Sequence, residues 1–302
     1  MALPTPPAPA AGSLTSWVLA ARPKTLPAAI APVLVGTGLA VERGAFALWP
    51  ALAALLGALL IQVGTNFAND YFDFRKGADT ETRVGPTRAV QSGLLTPREM
   101  LAGTAAAFGA ATVCGAYLTA VAGWPVVAIG LASMAAGVLY TGGPAPLGYV
   151  GLGDPFVFVF FGLVAVGGTY YVQALELAPA ALLAGVAMGS LITAILVVNN
   201  LRDVDTDAAS GKRTLAVRLG ERGTRAEFAL LLAVAYAVPL VGVAFFSWPR
   251  ATLLALATAP LALAPLRAVC APRDPARLNP ALGATARLSA LFAVCLTLGF
   301  VA

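Results

Sequence analysis

The chain contains no histidine. Imidazole therefore cannot act as base, metal ligand or pH sensor, which removes histidine-ligated zinc and haem sites and most proton relays. Its three cysteines, Cys114, Cys270 and Cys295, lie in or beside apolar runs without metal-ligand spacing, and they read as small core residues. Charge is scarce as well, at 11% of residues. The net charge of +5 carries no nucleic-acid signal, because the cations sit between apolar runs and form no basic stripe interleaved with aromatics. No nucleic-acid partner is expected.

What the chain has is hydrocarbon. Of its 302 residues 59% are apolar, and the mean hydropathy is +0.83. A bilayer core about 30 Å thick needs roughly 20 apolar residues per helix, at about 1.5 Å rise each. Several runs reach that length, so the expected class is an all-α polytopic membrane protein with membrane lipids as its surroundings.

Residues 1–13 are Ala/Pro-rich and uncharged and read as a disordered tail. No Lys or Arg precedes an apolar core there, which argues against a cleaved signal peptide. Residues 14–24 suit a short interfacial helix with Trp17 at headgroup level and Arg22 and Lys24 facing the phosphates. Nine spans then follow, at about 26–41, 47–69, 99–122, 124–141, 153–174, 179–200, 224–246, 251–269 and 281–301. Residues 14–302 are expected to form a single transmembrane domain. Gly103 with Ala107, and Ala135 with Gly137, suit close helix packing.

Counting Lys and Arg by loop gives the orientation. Sixteen fall on the side of the N-terminus and only Arg43 and Arg250 on the other, with Arg287 inside the last span and able to snorkel. The N-terminus and both acidic loops are thus expected in the cytoplasm and the C-terminus outside.

Those loops concentrate the charge. Residues 66–92 (NFANDYFDFRKGADTETRVGPTRAVQS) and 199–218 (NNLRDVDTDAASGKRTLAVR) each follow an apolar helix. In the first, Asn66, Asp70 and Asp73 stand at i, i+4 and i+7, and Asn69 and Asp73 at i and i+4. In the second, Asn199, Asp203 and Asp207 stand at i, i+4 and i+8, with Asp205 pointing the other way. On a helix each set shares a side. Carboxylates so aligned repel one another unless a cation lies between them. Oxygen ligands alone select a hard cation, and magnesium is commonly shared between one or two carboxylates and substrate phosphates. Two such clusters facing each other would hold magnesium across a diphosphate, with Lys76, Arg83, Arg88, Arg202, Lys212 and Arg213 taking up the remaining phosphate oxygens.

The plainer reading, that loop charges are simply solvated, fits Glu81, Arg98, Glu99, Glu221 and Arg222. It fits the repeated Asn–Asp stripe poorly, since acids beside an apolar helix are costly. Each cluster caps the second helix of its group, after spans 2 and 6. That spacing suggests a pseudo-repeat, spans 1–4 and 5–8 plus span 9, which would gather the clusters at one mouth of a helical barrel. Spans 4 to 6 add aromatics: Tyr140, Phe156, Phe158, Phe160, Phe161, Tyr170 and Tyr171. These suit packing, and beside a diphosphate their electron-rich faces would also shield a carbocation.

NDYFDFRKGAD at 69–79 and NNLRDVDTDAASGKRTLAVRLG at 199–220 resemble the two Asp-rich motifs of the UbiA superfamily of intramembrane prenyltransferases. The resemblance extends to RPKTLPAAIAPV at 22–33. YTGGPAPLGYVGLGDPFVFVFFG at 140–162 and RVGPTRAVQSG at 83–93 are similar to its menaquinone branch, the 1,4-dihydroxy-2-naphthoate polyprenyltransferases. Two departures stand out. The broad motif NDxxDxxxD has Gly77 at its last position, and the next acid is Asp79; Asp154 occupies a place where this branch would carry Glu. Tyr140 is followed by GGPAPLG without the Lys of the ubiquinone branch, which argues against a 4-hydroxybenzoate acceptor.

The resemblance implies a helical barrel in the bacterial cytoplasmic (inner) membrane. It implies transfer of a polyprenyl group from polyprenyl diphosphate to 1,4-dihydroxy-2-naphthoate, with loss of diphosphate and CO2 and formation of demethylmenaquinol. It further implies Mg2+ on Asp70, Asp73, Asp79, Asp203 and Asp207 with Asn69 and Asn199 as neutral ligands, catalytic roles for Asp73, Asp203, Asp207, Asn69 and Tyr140, and phosphate contacts from the six cations named above. Tyr140 and Asn199 are candidates to orient the acceptor. Homogentisate or a chlorophyllide as acceptor is the alternative within this chemistry. A transporter is the alternative outside it, but would need polar groups near the bilayer midplane.

Overall fold

The computed structural model describes residues 10–77 and 88–302, and every regular element among them is helical. The order is α1 (Leu14–Ala21), α2 (Pro27–Glu42), α3 (Leu48–Arg75), α4 (Pro97–Ala122), α5 (Pro125–Leu139), α6 (Gly153–Val157) and α7 (Ala165–Ala174). Then come α8 (Pro179–Arg202), α9 (Val204–Ala209), α10 (Leu215–Phe245), α11 (Ala259–Cys270) and α12 (Pro275–Val301). Proline opens α2, α4, α5, α8 and α12, where its missing N–H leaves no helical bond unmade. Thr96 and Glu99 close a reciprocal cap on α4: the Glu99 N–H donates to Thr96 Oγ1 at 3.2 Å and the Thr96 N–H to Glu99 Oε2 at 2.7 Å.

The nine expected segments are all helical, yet their lengths separate them. Among the described residues seven helices are long and apolar enough to cross a membrane, and Leu14–Thr25 with α2, bent by 52°, make an eighth if read as one broken span. The bend lies between Leu14–Thr25 and Pro27–Glu42; within the first of these, Arg22 is a non-glycine residue in the left-handed region at φ 52°. The short helix α5 has 15 residues, under the roughly 20 of a full crossing. Two other spans are irregular. Phe158–Val164 widens into a π-helix between α6 and α7, and Arg250–Thr258 tightens into a 3-10 helix before α11. Helix α10 breaks at Gly220, whose φ of 66° suits only glycine, so the apolar span proper begins past residue 220, near the expected 224.

The core forms around α8. Met188, Leu191, Val198 and Leu201 are fully enclosed and belong to one cluster with Phe228 of α10 and Leu288, Phe292 and Leu296 of α12. Helix α8 approaches the π-helix where both lack side chains: a Cβ on Gly162 would lie 2.7 Å from the Gly189 Cα. Gly103 likewise makes room for an aromatic ring, since a Cβ there would collide with Trp17. Trp17 packs edge-on to Phe67, centroids 5.5 Å apart, which joins α1 to α3. Segment 10–13 is not the loose tail expected. The Gly12 N–H donates to the Leu94 carbonyl at 2.9 Å, and Ser13 caps α1.

Candidate active site at the mouth of an apolar cavity

The first acidic cluster occupies the last two turns of α3, and its two stripes do different work. Asn66 donates to the Ala21 carbonyl at 2.9 Å and to Thr25 Oγ1 at 3.0 Å. Asp70 accepts from the backbone N–H groups of Ala89 and Val90 at 3.0 and 3.1 Å, with an Arg22 nitrogen 3.9 Å away. These residues clamp the loop and the N-terminal segment onto α3. Arg22 therefore faces inward, and not the headgroups as expected.

Asp73, 2% exposed, is the electrostatic centre. Arg88 donates to its Oδ2 at 2.6 Å, the Tyr149 hydroxyl donates to its Oδ1 at 2.7 Å, and the Lys212 ammonium lies 3.7 Å from that oxygen. One turn earlier, Asn69 accepts from Thr141 Oγ1 at 2.8 Å. Lys76, just past α3, donates to the carbonyls of Thr141 and Gly143 at 2.7 and 3.2 Å. Partial burial pulls its ammonium below the ordinary lysine pKa, with nearby Asp73 opposing and Lys212 reinforcing the shift. Asp79 and Arg83 lie outside the described residues.

The second cluster divides likewise. Arg202, 4% exposed, donates to both oxygens of Asp203 at 2.7 and 2.6 Å, to Asn199 Oδ1 at 2.9 Å and to Asn279 Oδ1 at 2.9 Å. Asn199, Asp203 and Arg202 thus form a closed set that ties α8 to α12. Asp205 turns the other way, as its spacing implied, and pairs with Arg273, which also bonds Glu221 at 3.0 Å. Lys212, through the loop after α9, carries this cluster to Asp73. The exposed Arg213 takes part through its backbone N–H, which donates to the Tyr149 carbonyl at 2.8 Å.

Tyr149 joins the two clusters. The Lys76 and Lys212 ammonium groups lie over its ring, 5.0 and 4.6 Å from the centroid. Nothing in periodicity marks this residue, which stands in an irregular loop. The only signal would have been a tyrosine in a Gly/Pro-rich connection between two spans.

Tyr140 stands deeper, at the end of α5, within range of the charges of Asp154, Asp73 and Asp207. It lines a cavity of about 700 Å³ with Asn69, Phe156, Phe160 and Phe161. Away from that polar end the walls are apolar or small, among them Val33, Gly115, Gly130, Leu131 and Val164. Of the other aromatics, Tyr170 bonds Glu176 at 3.1 Å and Tyr171 the Ala122 carbonyl at 2.8 Å, which is packing and anchoring. Two intramembrane acids stand apart. Asp154 and Glu227 each bury one oxygen that finds no hydrogen-bond partner among the described residues. Glu227 is not among the residues singled out from the sequence.

Among the described residues no three His, Cys, Asp or Glu side chains converge as a metal cage. The oxygens that stand at the mouth are those of Asn69 and Asp73, with lysine and arginine groups neutralising Asp73. Such a set fits a magnesium ion shared with phosphate oxygens better than an all-protein site.

A helical membrane protein with acidic and cationic side chains massed at the mouth of an apolar cavity belongs to the class that handles amphiphilic anions with long hydrocarbon tails. The UbiA prenyltransferase family model matches residues 29–298, and the chain belongs to that family. It is 45% identical over 251 residues to the 1,4-dihydroxy-2-naphthoate octaprenyltransferase of Mycobacterium tuberculosis, covering 83% of this chain and 85% of that one. A UbiA homolog from Aeropyrum pernix K1, in its apo structure, shares the fold at a TM-score of 0.71 and 15% identity, covering 90% of this chain and 97% of that one. A UbiA homolog from Archaeoglobus fulgidus bound to DMAPP and Mg2+ superposes at a TM-score of 0.64 and 14% identity, covering 93% and 99%.

Proposed function

We propose that this chain transfers a polyprenyl group from polyprenyl diphosphate to 1,4-dihydroxy-2-naphthoate, releasing diphosphate and CO2 and giving demethylmenaquinol. The observation that carries the reading is the Lys212 ammonium 3.7 Å from Asp73 above the apolar cavity, which brings both acidic loops to one mouth. The 45% identity to a chain bearing that activity supports the choice of acceptor.

Asn69, Asp73, Asp79 and Asp207 are the ligands proposed for Mg2+, with Asn199 and Asp203 joining if Arg202 releases them; Asp70 belongs to the same motif but is engaged with the loop backbone. When bound, Mg2+ neutralises charge on the departing diphosphate. Lys76, Arg83, Arg88, Arg202, Lys212 and Arg213 are the proposed phosphate-binding cations, and Lys76, Arg88 and Lys212 already stand around Asp73. The prenyl C–O bond breaks with its electron pair leaving on diphosphate. The allylic cation meets the electron-rich faces of Tyr140, Phe156 and Phe160 until the naphthoate ring supplies the pair for the new C–C bond. The attacked ring carbon then loses its proton, and the ring–carboxylate bond breaks with loss of CO2 as the carbon that bore it takes up a proton. No protein nucleophile takes part, in keeping with a chain that has no histidine. Tyr140 and Asn199 are proposed to orient the acceptor, and the tail lies in the 700 Å³ cavity.

The proposed setting is the bacterial cytoplasmic membrane, crossed nine times with the short α5 as one crossing. The N-terminus and acidic loops face the cytoplasm and the C-terminus faces outward, as the lysine and arginine distribution favours. Residues 14–302 act as one domain in which α3 and α8 occupy equivalent places in two halves.

The test is an acceptor panel with purified protein, Mg2+ and a short allylic diphosphate, read by mass spectrometry. Prenylation of 1,4-dihydroxy-2-naphthoate with loss of CO2, stopped by EDTA and by Asp73→Ala or Asp203→Ala, is expected. Reaction of homogentisate or 4-hydroxybenzoate instead would keep the diphosphate chemistry and overturn the acceptor. Unchanged turnover in both variants would overturn the two-cluster mechanism.

A further inference from the structure

Three features outside the proposed ligand sets invite a role: the buried oxygens of Asp154 and Glu227 that find no hydrogen-bond partner among the described residues, the apolar hollow between α3 and α4 beside Cys114, and Tyr149. The last is fixed by the most independent contacts. Its hydroxyl donates to Asp73 Oδ1 at 2.7 Å, its ring lies under the Lys76 and Lys212 ammonium groups at 5.0 and 4.6 Å, and its carbonyl accepts from the Arg213 N–H at 2.8 Å. One side chain therefore touches the end of α3, and the same residue touches the loop that follows α9. Lys76 belongs to the first cluster and Lys212 to the second, and both carry the same charge, so they repel one another except where Asp73 and the Tyr149 ring stand between them.

We propose that Tyr149 is the positioning residue for the diphosphate: its ring holds Lys76 and Lys212 together at the mouth as a paired cationic clamp, in register with Asp73. The proposal rests on the prenyl-transfer reading above and says how that site achieves its spacing. An aromatic face suits this task for a physical reason. It attracts a cation through its quadrupole without neutralising it, so each ammonium keeps its full charge for a phosphate oxygen. A carboxylate in the same place would hold the lysines more tightly and compete with the substrate. Asp73 illustrates that competition, since Lys212 now lies 3.7 Å from an oxygen that a metal-bound diphosphate would claim. The ring leaves Lys212 a second resting place beside that oxygen. The hydroxyl meanwhile fixes the Asp73 carboxylate against the clamp, and the Arg213–Tyr149 backbone bond keeps the loop after α9 attached to the ring. Tyr149 itself touches no reacting atom in this account.

The test compares the full-length protein with Tyr149→Phe, Tyr149→Leu and Tyr149→Gln in detergent micelles. Binding of inorganic pyrophosphate with Mg2+ is measured by calorimetry, alongside kcat and KM for donor and acceptor. Loss of the ring in Tyr149→Leu and Tyr149→Gln is expected to weaken pyrophosphate binding about tenfold and to raise donor KM in proportion, with acceptor KM unchanged. Tyr149→Phe keeps the ring and is expected to stay within about threefold of the parent in pyrophosphate affinity. Equal affinity in the parent and in either ring-less variant would overturn the proposal, as would a Phe variant as weak as Leu. Melting curves without ligand identify a ring-less variant that has lost its fold, and the other then carries the comparison; if both unfold, a Phe variant with parental affinity supports the clamp and one about tenfold weaker overturns it. A parent protein that binds no pyrophosphate with Mg2+ would instead overturn the prenyl-transfer reading itself.

Discussion

Asp70 accepts two backbone hydrogen bonds, from the N–H groups of Ala89 and Val90, at 3.0 and 3.1 Å. Among the described residues its neighbour three residues on, Asp73, is met by side chains, Arg88 at 2.6 Å, Tyr149 at 2.7 Å and Lys212 at 3.7 Å. Two carboxylates on one face of α3 thus have different employment. One shapes the loop, and the other is held by groups that a ligand can displace.

Substituting Asp70 should therefore loosen the loop before it alters anything else. Bonds to a charged acceptor contribute about 1.5–3 kcal/mol each, so Asp70→Ala is expected to destabilise the 88–95 segment by a few kcal/mol. Hydrogen exchange at the Ala89 and Val90 amides should accelerate by two orders of magnitude or more. Unchanged exchange at both amides would show that the clamp is not formed in solution.

The meeting of Gly162 with α8 gives a second expectation. A methyl group on Gly162 would lie 2.7 Å from the Gly189 Cα, and backbone cannot yield as a side-chain end would. Gly162→Ala is expected to cost about 1–3 kcal/mol through overpacking and to lower the melting temperature in detergent. Gly283→Ala serves as the control, since a Cβ there meets nothing within 4 Å.

The cavity itself can be filled without a clash. Gly130 lines it, and a Cβ at that position has no neighbour within 4 Å. Gly130→Phe is expected to lower kcat/KM for long-chain donors about tenfold or more while leaving geranyl diphosphate within a few-fold. A uniform loss across donor lengths would argue that the tail lies elsewhere.

Glu227 buries an oxygen that finds no hydrogen-bond partner among the described residues. Leaving such a group unsatisfied costs about 1–3 kcal/mol, so Glu227→Met is expected to raise the melting temperature by several degrees. A variant that melts lower would show that a partner outside the described residues satisfies the acid.

Much of this was legible from the chain alone. The spans are visible because hydrocarbon tolerates only self-satisfied backbone, so long apolar runs have one outcome. The stripes Asn69–Asp73 and Asn199–Asp203 were visible because acids beside an apolar helix are costly and rarely fortuitous. Arg22 was misread as a headgroup contact, since nothing local distinguishes a cation lying on lipid from one turned toward an acid of its own bundle.

The sequence by itself determined the class of protein, the two acidic loops and the kind of chemistry they serve. Those depend on residue types and short-range spacing. Only the tertiary structure decided which side chains work together: Asp70 with the loop backbone, Arg202 closed on Asp203 and Asn199, and Tyr149 beneath two lysines from opposite clusters. Two of these pairings join residues far apart in the chain: Asp70 with the backbone of Ala89 and Val90, and Tyr149 with Lys76 and Lys212. Their geometry is set by how the loops pack against the end of α3, a relation that no local pattern encodes.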